Sequence, residues 1–165
     1  MRPFSLLGGL ICALLISNSA VAREDRVAAG VRAYARQEYV AASQLLLPPA
    51  RVGNPIAETY LGFMYQHGRG VPQDYVEAAR WFRAAAEQGE PEAQFFLALL
   101  YDRGFGVGRD FVAAETWLNL AAAHADSRDR DYWARMRDAV ASKLTYEELA
   151  KARAQALAFA PTRVP

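Results

Sequence analysis

The 165-residue sequence contains few of the side chains on which most enzymes and metal sites depend. Its one cysteine is Cys12 and its two histidines are His67 and His124, and no Cys-x-x-Cys or His-Glu-x-x-His motif is present, so no metal site is expected. Gly-x-Ser-x-Gly is also absent, and no serine lies three residues before a lysine, so two common signatures of serine enzymes are missing. The sequence therefore predicts neither a cofactor nor a nucleophilic catalytic residue.

Carboxylates are the remaining candidates for catalysis, because glycan cleavage needs a carboxylic acid and a second carboxylate or a water across a cleft. Glu148 is predicted to cap a helix. The others lie next to it in sequence or where solvated helix faces are expected: Glu58, Glu77, Glu87, Glu92 and Glu147. A structural role is favoured for each of them, so no catalytic residue is predicted and the protein is expected not to be an enzyme.

The charges nearly cancel, with 19 basic and 18 acidic residues. Arg2 is the only charged residue in 1–22, so removal of that segment leaves 18 of each sign. A chain without net charge has no general attraction to nucleic acid or to an anionic membrane surface. Nucleic acid is therefore not among the expected partners.

Residues 1–22 have the pattern of a secretory signal peptide: Arg2, an apolar stretch from Leu6 to Ile16, and the small-residue sequence that ends at Ala22. The apolar stretch has 11 residues, which is too short to span about 30 Å of hydrocarbon as a helix. We expect cleavage after Ala22, a mature chain without a transmembrane segment, and a periplasmic or secreted location. Because 17 of the 19 basic residues are arginine, a bacterial origin and hence the periplasm are favoured.

A lipoprotein anchor at Cys12 is the less favoured alternative, because Ile11 stands where a small residue normally precedes a lipidated cysteine. Since Cys12 would be removed with the signal, the mature chain would hold no thiol for a disulfide. Packing alone must then stabilise the fold.

An internal repeat occupies the middle of the chain, where 55–86 aligns with 91–122. Its loop contains a pair of glycines one residue apart, which raises the question of a phosphate-binding loop, but the Gly-Lys-Ser/Thr ending of such a loop is missing. A glycine pair that recurs one repeat later is more simply explained as a structural joint. The matching positions are Pro55/Pro91, Ala57/Ala93, Leu61/Leu97, Tyr65/Tyr101, Gly68/Gly104, Gly70/Gly106, Val71/Val107, Asp74/Asp110, Ala78/Ala114 and Trp81/Trp117.

Each copy predicts two helices. In the first copy Asn54 can cap a helix that starts at Pro55, and Gly68 can end that helix in the left-handed conformation. Asp74 can cap the second helix, with Glu77 completing a capping box. Apolar residues then recur at steps of three and four and define inward faces: Ala57, Leu61, Met64 and Tyr65 on the first helix, and Tyr75, Ala78, Trp81, Phe82 and Ala85 on the second.

The repeated pattern resembles the Sel1-like repeat, a relative of the tetratricopeptide repeat, although Ala98 replaces the glycine usual at its position. The resemblance implies an all-α fold, a right-handed α-α superhelix (solenoid) of antiparallel helix pairs, in which no motif residue is catalytic. It divides the chain into a signal peptide (1–22), a tetratricopeptide-like helix pair (23–53), two repeats (54–89 and 90–125), C-terminal capping helices (126–160) and a loose tail (161–165).

In stacked helix pairs the first helices line the concave side, and by this analogy six side chains should face a ligand there. Two alternatives remain open: the apolar members are exposed and mark a partner site, or they pack against the flanking helices. The six positions are Thr59, Phe63, Gln66, Phe95, Leu99 and Asp102.

Two functions follow from the resemblance. The first is an exported scaffold, in the bacterial cell envelope, that binds a protein or peptide through its concave face. The second is an envelope enzyme or ligand-binding protein acting on peptidoglycan or β-lactams, an activity linked to some cysteine-rich relatives. The second is disfavoured because the mature chain would have no cysteine.

Overall fold

A computed structural model describes residues 23–162, in which eight helices and no strand are present. The predicted signal peptide, Cys12 and the last residues of the predicted tail lie outside this range. The helices are α1 (23–35), α2 (Tyr39–Arg51), α3 (Pro55–His67), α4 (Tyr75–Glu87), α5 (Pro91–Arg103), α6 (Phe111–Ala123), α7 (Arg130–Ala141) and α8 (Tyr146–Ala158). None of these described helices has the length and apolar character needed to cross a membrane.

Consecutive helices pack against each other from α2 to α6, most extensively within the pairs α3–α4 and α5–α6. The buried side chains form three successive clusters along this stack. The all-α solenoid expected from the sequence is thus confirmed. The loop between α1 and α2 spans only 36–38, whereas 68–74 joins α3 to α4.

Most predicted helix ends are confirmed. The Asn54 side chain accepts a hydrogen bond from the Ala57 N–H at 2.9 Å, and Asp74 Oδ1 accepts from the Val76 and Glu77 N–H groups at 2.8 and 3.1 Å. The capping box predicted for Glu77 is wrong, because its carboxylate pairs with Arg80 at 3.0 Å instead. The capping box of Thr145 and Glu148 is present at the start of α8.

The glycine pair is a structural joint in both copies. Gly68 and Gly104 end α3 and α5 with φ of 65° and 72°, the left-handed region that glycine adopts without strain. A Cβ atom on Gly70 would overlap the backbone of Tyr39, and one on Gly106 would overlap the backbone of Tyr75. Each loop therefore lies directly on the start of the second helix of the preceding pair.

The inward faces are confirmed for the aliphatic residues and only in part for tryptophan. Trp81 and Trp117 are half-buried, so they cover the core rather than fill it. The fully buried members of the two predicted inward faces are Ala57, Leu61, Met64, Ala78, Phe82 and Ala85. Phe82 lies so close to Gly62 that a Cβ there would approach the ring to 2.5 Å.

The last two helices both pack on α6. On one side α7 places Trp133 against Phe95 of α5, with the rings stacked at 5.0 Å and an interplanar angle of 12°. On the other side α8 leads to Phe159, whose ring lies 5.6 Å from that of Trp117. The predicted loose tail is not free where it is described, because Thr162 donates its N–H to the Glu87 carbonyl at 2.7 Å.

Candidate functional site

Two adjoining cavities lie along α1, α3 and the start of α5. The smaller has a volume of about 280 Å³ and lies against α3 and the start of α5, and the larger has about 660 Å³ and extends along α1. Ile56 and Tyr60 line both. We call the two cavities together the groove. The smaller cavity is lined by Ile56, Thr59, Tyr60, Phe63, Glu90 and Glu92.

Two of the six predicted ligand-facing residues, Thr59 and Phe63, line this groove. Thr59 is only 5% exposed and its hydroxyl donates to the Pro55 carbonyl at 2.8 Å. Phe63 is half-buried, with its ring edge-on to that of Phe96 at 4.5 Å. Gln66, one turn further along α3, has a buried Oε1 with no hydrogen-bond partner within the described residues.

The other three predicted residues belong to the second copy, where α7 lies over Phe95 of α5. Phe95 is 1% exposed and lies beneath Trp133, so for this residue the alternative of packing against a flanking helix holds. Leu99 is half-buried in the same cluster. Asp102 forms an ion pair with Lys143, just beyond α7. The six residues therefore do not share one accessible surface.

Glu58 contradicts its predicted place on a solvated helix face. It is 4% exposed, and burial raises the pKa of its carboxyl to about 7 even though Gln88 donates a hydrogen bond to it at 2.7 Å. The residue one repeat later is Gln94, also buried. The uncharged Gln94 was the only sign in the sequence that the position of Glu58 is buried in both repeats.

Glu90 was not singled out from the sequence, yet it lines the smaller cavity beside Glu92. Burial, and then the neighbouring Glu92 carboxyl, raise the pKa of Glu90 to about 7. Burial also raises the pKa of the Tyr60 hydroxyl, with Tyr34 and Glu92 adding to the effect. The smaller cavity therefore combines two acidic groups with two aromatic rings, those of Tyr60 and Phe63.

The described residues hold no group of three or more His, Cys, Asp or Glu side chains that could bind a metal ion. Both histidines are exposed and sit near helix ends, with His67 Nδ1 2.9 Å from the Phe63 carbonyl and His124 Nδ1 3.2 Å from the Leu120 carbonyl. Neither lines the groove.

Consecutive packed helix pairs, joined by the same glycine loop in both copies, define a helical-repeat protein of the α-solenoid class. Two consecutive segments, 55–90 and 91–126, match the model of the Sel1 repeat. The predicted resemblance to the Sel1 repeat is therefore confirmed in two segments, each beginning one residue later than predicted. Sel1 repeats are typical of non-enzymatic scaffolds and suggest protein partners.

Solved structures with the same fold cover most of the chain. One is a protective antigen present in uropathogenic Escherichia coli strains, displaying an SLR fold: it is 29% identical, with a TM-score of 0.76 over 83% of this chain and 29% of the antigen. A Sel1 repeat protein from Oxalobacter formigenes is 27% identical, with a TM-score of 0.65 over 83% of this chain and 55% of that protein. This chain thus spans less than two thirds of either relative. No curated protein matches it.

Proposed function

We propose that this protein is an exported scaffold of the bacterial cell envelope that binds a protein or peptide through the groove, without catalysing a reaction. The general role of Sel1 repeats in protein interaction supports the first part. The signal-peptide pattern of residues 1–22 supports export.

The main support for this proposal is the accessible apolar surface of the groove. Its α3 wall retains accessible apolar surface, because Ile56 is 46% exposed and Tyr60 and Phe63 are half-buried. On the second repeat, outside the groove, the corresponding face of α5 is covered, since Trp133 of α7 lies on Phe95. The apolar face that a helix of the same chain covers at the second repeat is thus accessible at the first repeat, where it is suited to receive a segment of another protein.

The experiment is capture of partners from envelope extract with the exported chain as bait. The variant Ile56→Asp places a charge in the groove and should abolish capture. Val76→Asp is the matched control, because Val76 is 63% exposed on α4 and lies outside the groove lining. Loss of capture with Ile56→Asp alone supports the groove, whereas equal capture by both variants contradicts it.

Hydrolysis of peptidoglycan or β-lactams is the second candidate function, and the carboxyl pair Glu90 and Glu92 is the observation in its favour. The two carboxyls interact directly, whereas glycosidases hold theirs about 5 Å or more apart to flank the scissile bond. Turnover of a cell-wall substrate or a β-lactam by the purified protein, abolished by Glu90→Gln, would establish this function instead.

A further inference from the structure

The smaller cavity of the groove is lined by both carboxyl groups and aromatic rings. Glu90 lies at the N-cap of α5 and Glu92 in its first turn, while Tyr60 and Phe63 come from α3. Both elements are fixed by the core, since α3 and α5 each bury a row of apolar residues. The cavity is therefore formed before any ligand arrives, and its volume of about 280 Å³ accommodates one long side chain.

The carboxyls in this cavity have no counter-charge in direct contact. Among residues 23–162, no basic side chain lies within ion-pair distance of Glu90 or Glu92. The guanidinium of Arg128 is near enough to Glu92 to interact through space, but it pairs with Asp126 at 3.0 Å. Burial and mutual repulsion disfavour the charged form of Glu90, as its raised pKa reflects. A cation brought into the cavity would relieve that repulsion.

The aromatic rings favour a cation for an independent reason. Tyrosine and phenylalanine present a negative ring face that attracts an ammonium or guanidinium group within about 6 Å of the centroid. The Tyr60 and Phe63 rings line the same cavity as the carboxyls. Ile56 and Thr59 complete the lining, so the aliphatic stem of a long side chain would meet an apolar wall.

We infer that the smaller cavity receives the arginine or lysine side chain of a protein partner, its charged group held by Glu90 and Glu92 and its stem lying along Tyr60 and Phe63. This inference rests on the proposed function, because it assigns the chemistry of a partner segment bound in the groove. The partner segment is accordingly a basic residue flanked by apolar residues, which occupy the adjoining larger cavity.

The test uses two synthetic peptides that differ in one charge: acetyl-Ala-Leu-Arg-Leu-Ala-amide and the same peptide with citrulline, a neutral analogue, in place of arginine. Binding is measured by nuclear magnetic resonance titration of the exported chain, following the amides of Tyr60, Phe63 and Glu90. The arginine peptide should bind about five- to twelvefold more tightly, because a hydrogen bond to a charged group exceeds a neutral one by about 1–1.5 kcal/mol and citrulline keeps only neutral donors. Glu90→Gln combined with Glu92→Gln should remove this preference, and Glu147→Gln, an exposed site on α8, should retain it.

The possible outcomes distinguish failure of the cation site from failure of the groove as a binding surface. Equal binding of both peptides at Tyr60 and Phe63 overturns the cation site while leaving the groove as a binding surface. An arginine preference that survives Glu90→Gln with Glu92→Gln also overturns it, since the cation is then held elsewhere. If neither peptide shifts these resonances at millimolar concentration, both the cation site and the groove fail for peptides of this kind.

Discussion

Glu58 and Gln94 occupy equivalent positions one repeat apart, and both are buried between helices. Gln94 donates a hydrogen bond to the Ala86 carbonyl at 3.2 Å and carries no charge. Glu58 receives a hydrogen bond from Gln88, but it must lose either its charge or its hydration in the folded state. At high pH, Glu58 therefore contributes less to the stability of the fold than Gln94 does at the equivalent position.

The pH dependence of stability tests this difference. Burial raises the folded pKa of Glu58 from 4.5 to about 7, so the folded state binds the proton more tightly than the unfolded state. The stability contribution is fully present below pH 4.5 and is lost as the pH rises through about 7, by an amount on the order of 2–3 kcal/mol. Glu58→Gln should remove this loss and raise the free energy of unfolding at pH 8.

Chemical denaturation between pH 4.5 and 8 measures the effect. Glu87→Gln is the control, because Glu87 is exposed on α4 and the substitution changes the net charge equally. If Glu58→Gln and Glu87→Gln give the same pH profile, the carboxyl of Glu58 titrates in the folded protein as it does in water.

The loop glycines give a second prediction. Gly106 has a φ of 68° and a Cβ added to it would overlap the Tyr75 carbonyl oxygen, whereas a Cβ on Gly108 would meet nothing within 4 Å. Gly106→Ala should therefore lower the free energy of unfolding by about 1–3 kcal/mol from backbone strain alone. Gly108→Ala should change it by less than about 1 kcal/mol. Denaturant unfolding of both variants measures this, and equal effects would mean that the joint is not tightly packed.

At the scale of elements, α7 is the helix that covers Phe95 on the second repeat. Trp133 is 4% exposed and stacks on Phe95, so Trp133→Ala should destabilise the protein by about 3–5 kcal/mol. Tyr132 also approaches Phe95 but is 47% exposed, and Tyr132→Ala should lower stability by about 1 kcal/mol. Unfolding by urea measures both, and a loss below about 1 kcal/mol for Trp133→Ala would mean that α7 is not fixed on α5.

Helix ends that depend on interactions between neighbouring residues were predictable from the sequence. Asn54, Gly68 and Asp74 determine where helices start and end through hydrogen bonds and backbone angles within a few residues, and the structure agrees with each of these predictions. The covering of Phe95 was not predictable, because it depends on how α7 folds back across 38 residues of chain, and nothing near Phe95 signals it. Glu90 was missed for the same reason, since it comes close to Tyr60 only through the packing of α3 against α5.

At the scale of the whole molecule, export is a prediction that the N-terminus can test. The apolar stretch before Ala22 should direct the full chain through the inner membrane of a bacterial host, where cleavage leaves Arg23 as the first residue. Mass spectrometry of the periplasmic fraction measures this. Leu14→Arg interrupts the apolar stretch and should leave the uncleaved chain in the cytoplasm. A chain that keeps residues 1–22 in the periplasm would contradict the predicted cleavage.

The bonds of Thr162 affect how the whole stack unfolds. Its N–H and hydroxyl both donate to the Glu87 carbonyl, at 2.7 and 3.0 Å, across a separation of 75 residues. In most repeat arrays each unit touches only its neighbours, so the terminal units can fray while the middle stays folded. Here α8 cannot detach without also breaking the bonds at the last turn of α4. The segment between them, which includes the whole second repeat, should therefore melt as one cooperative block.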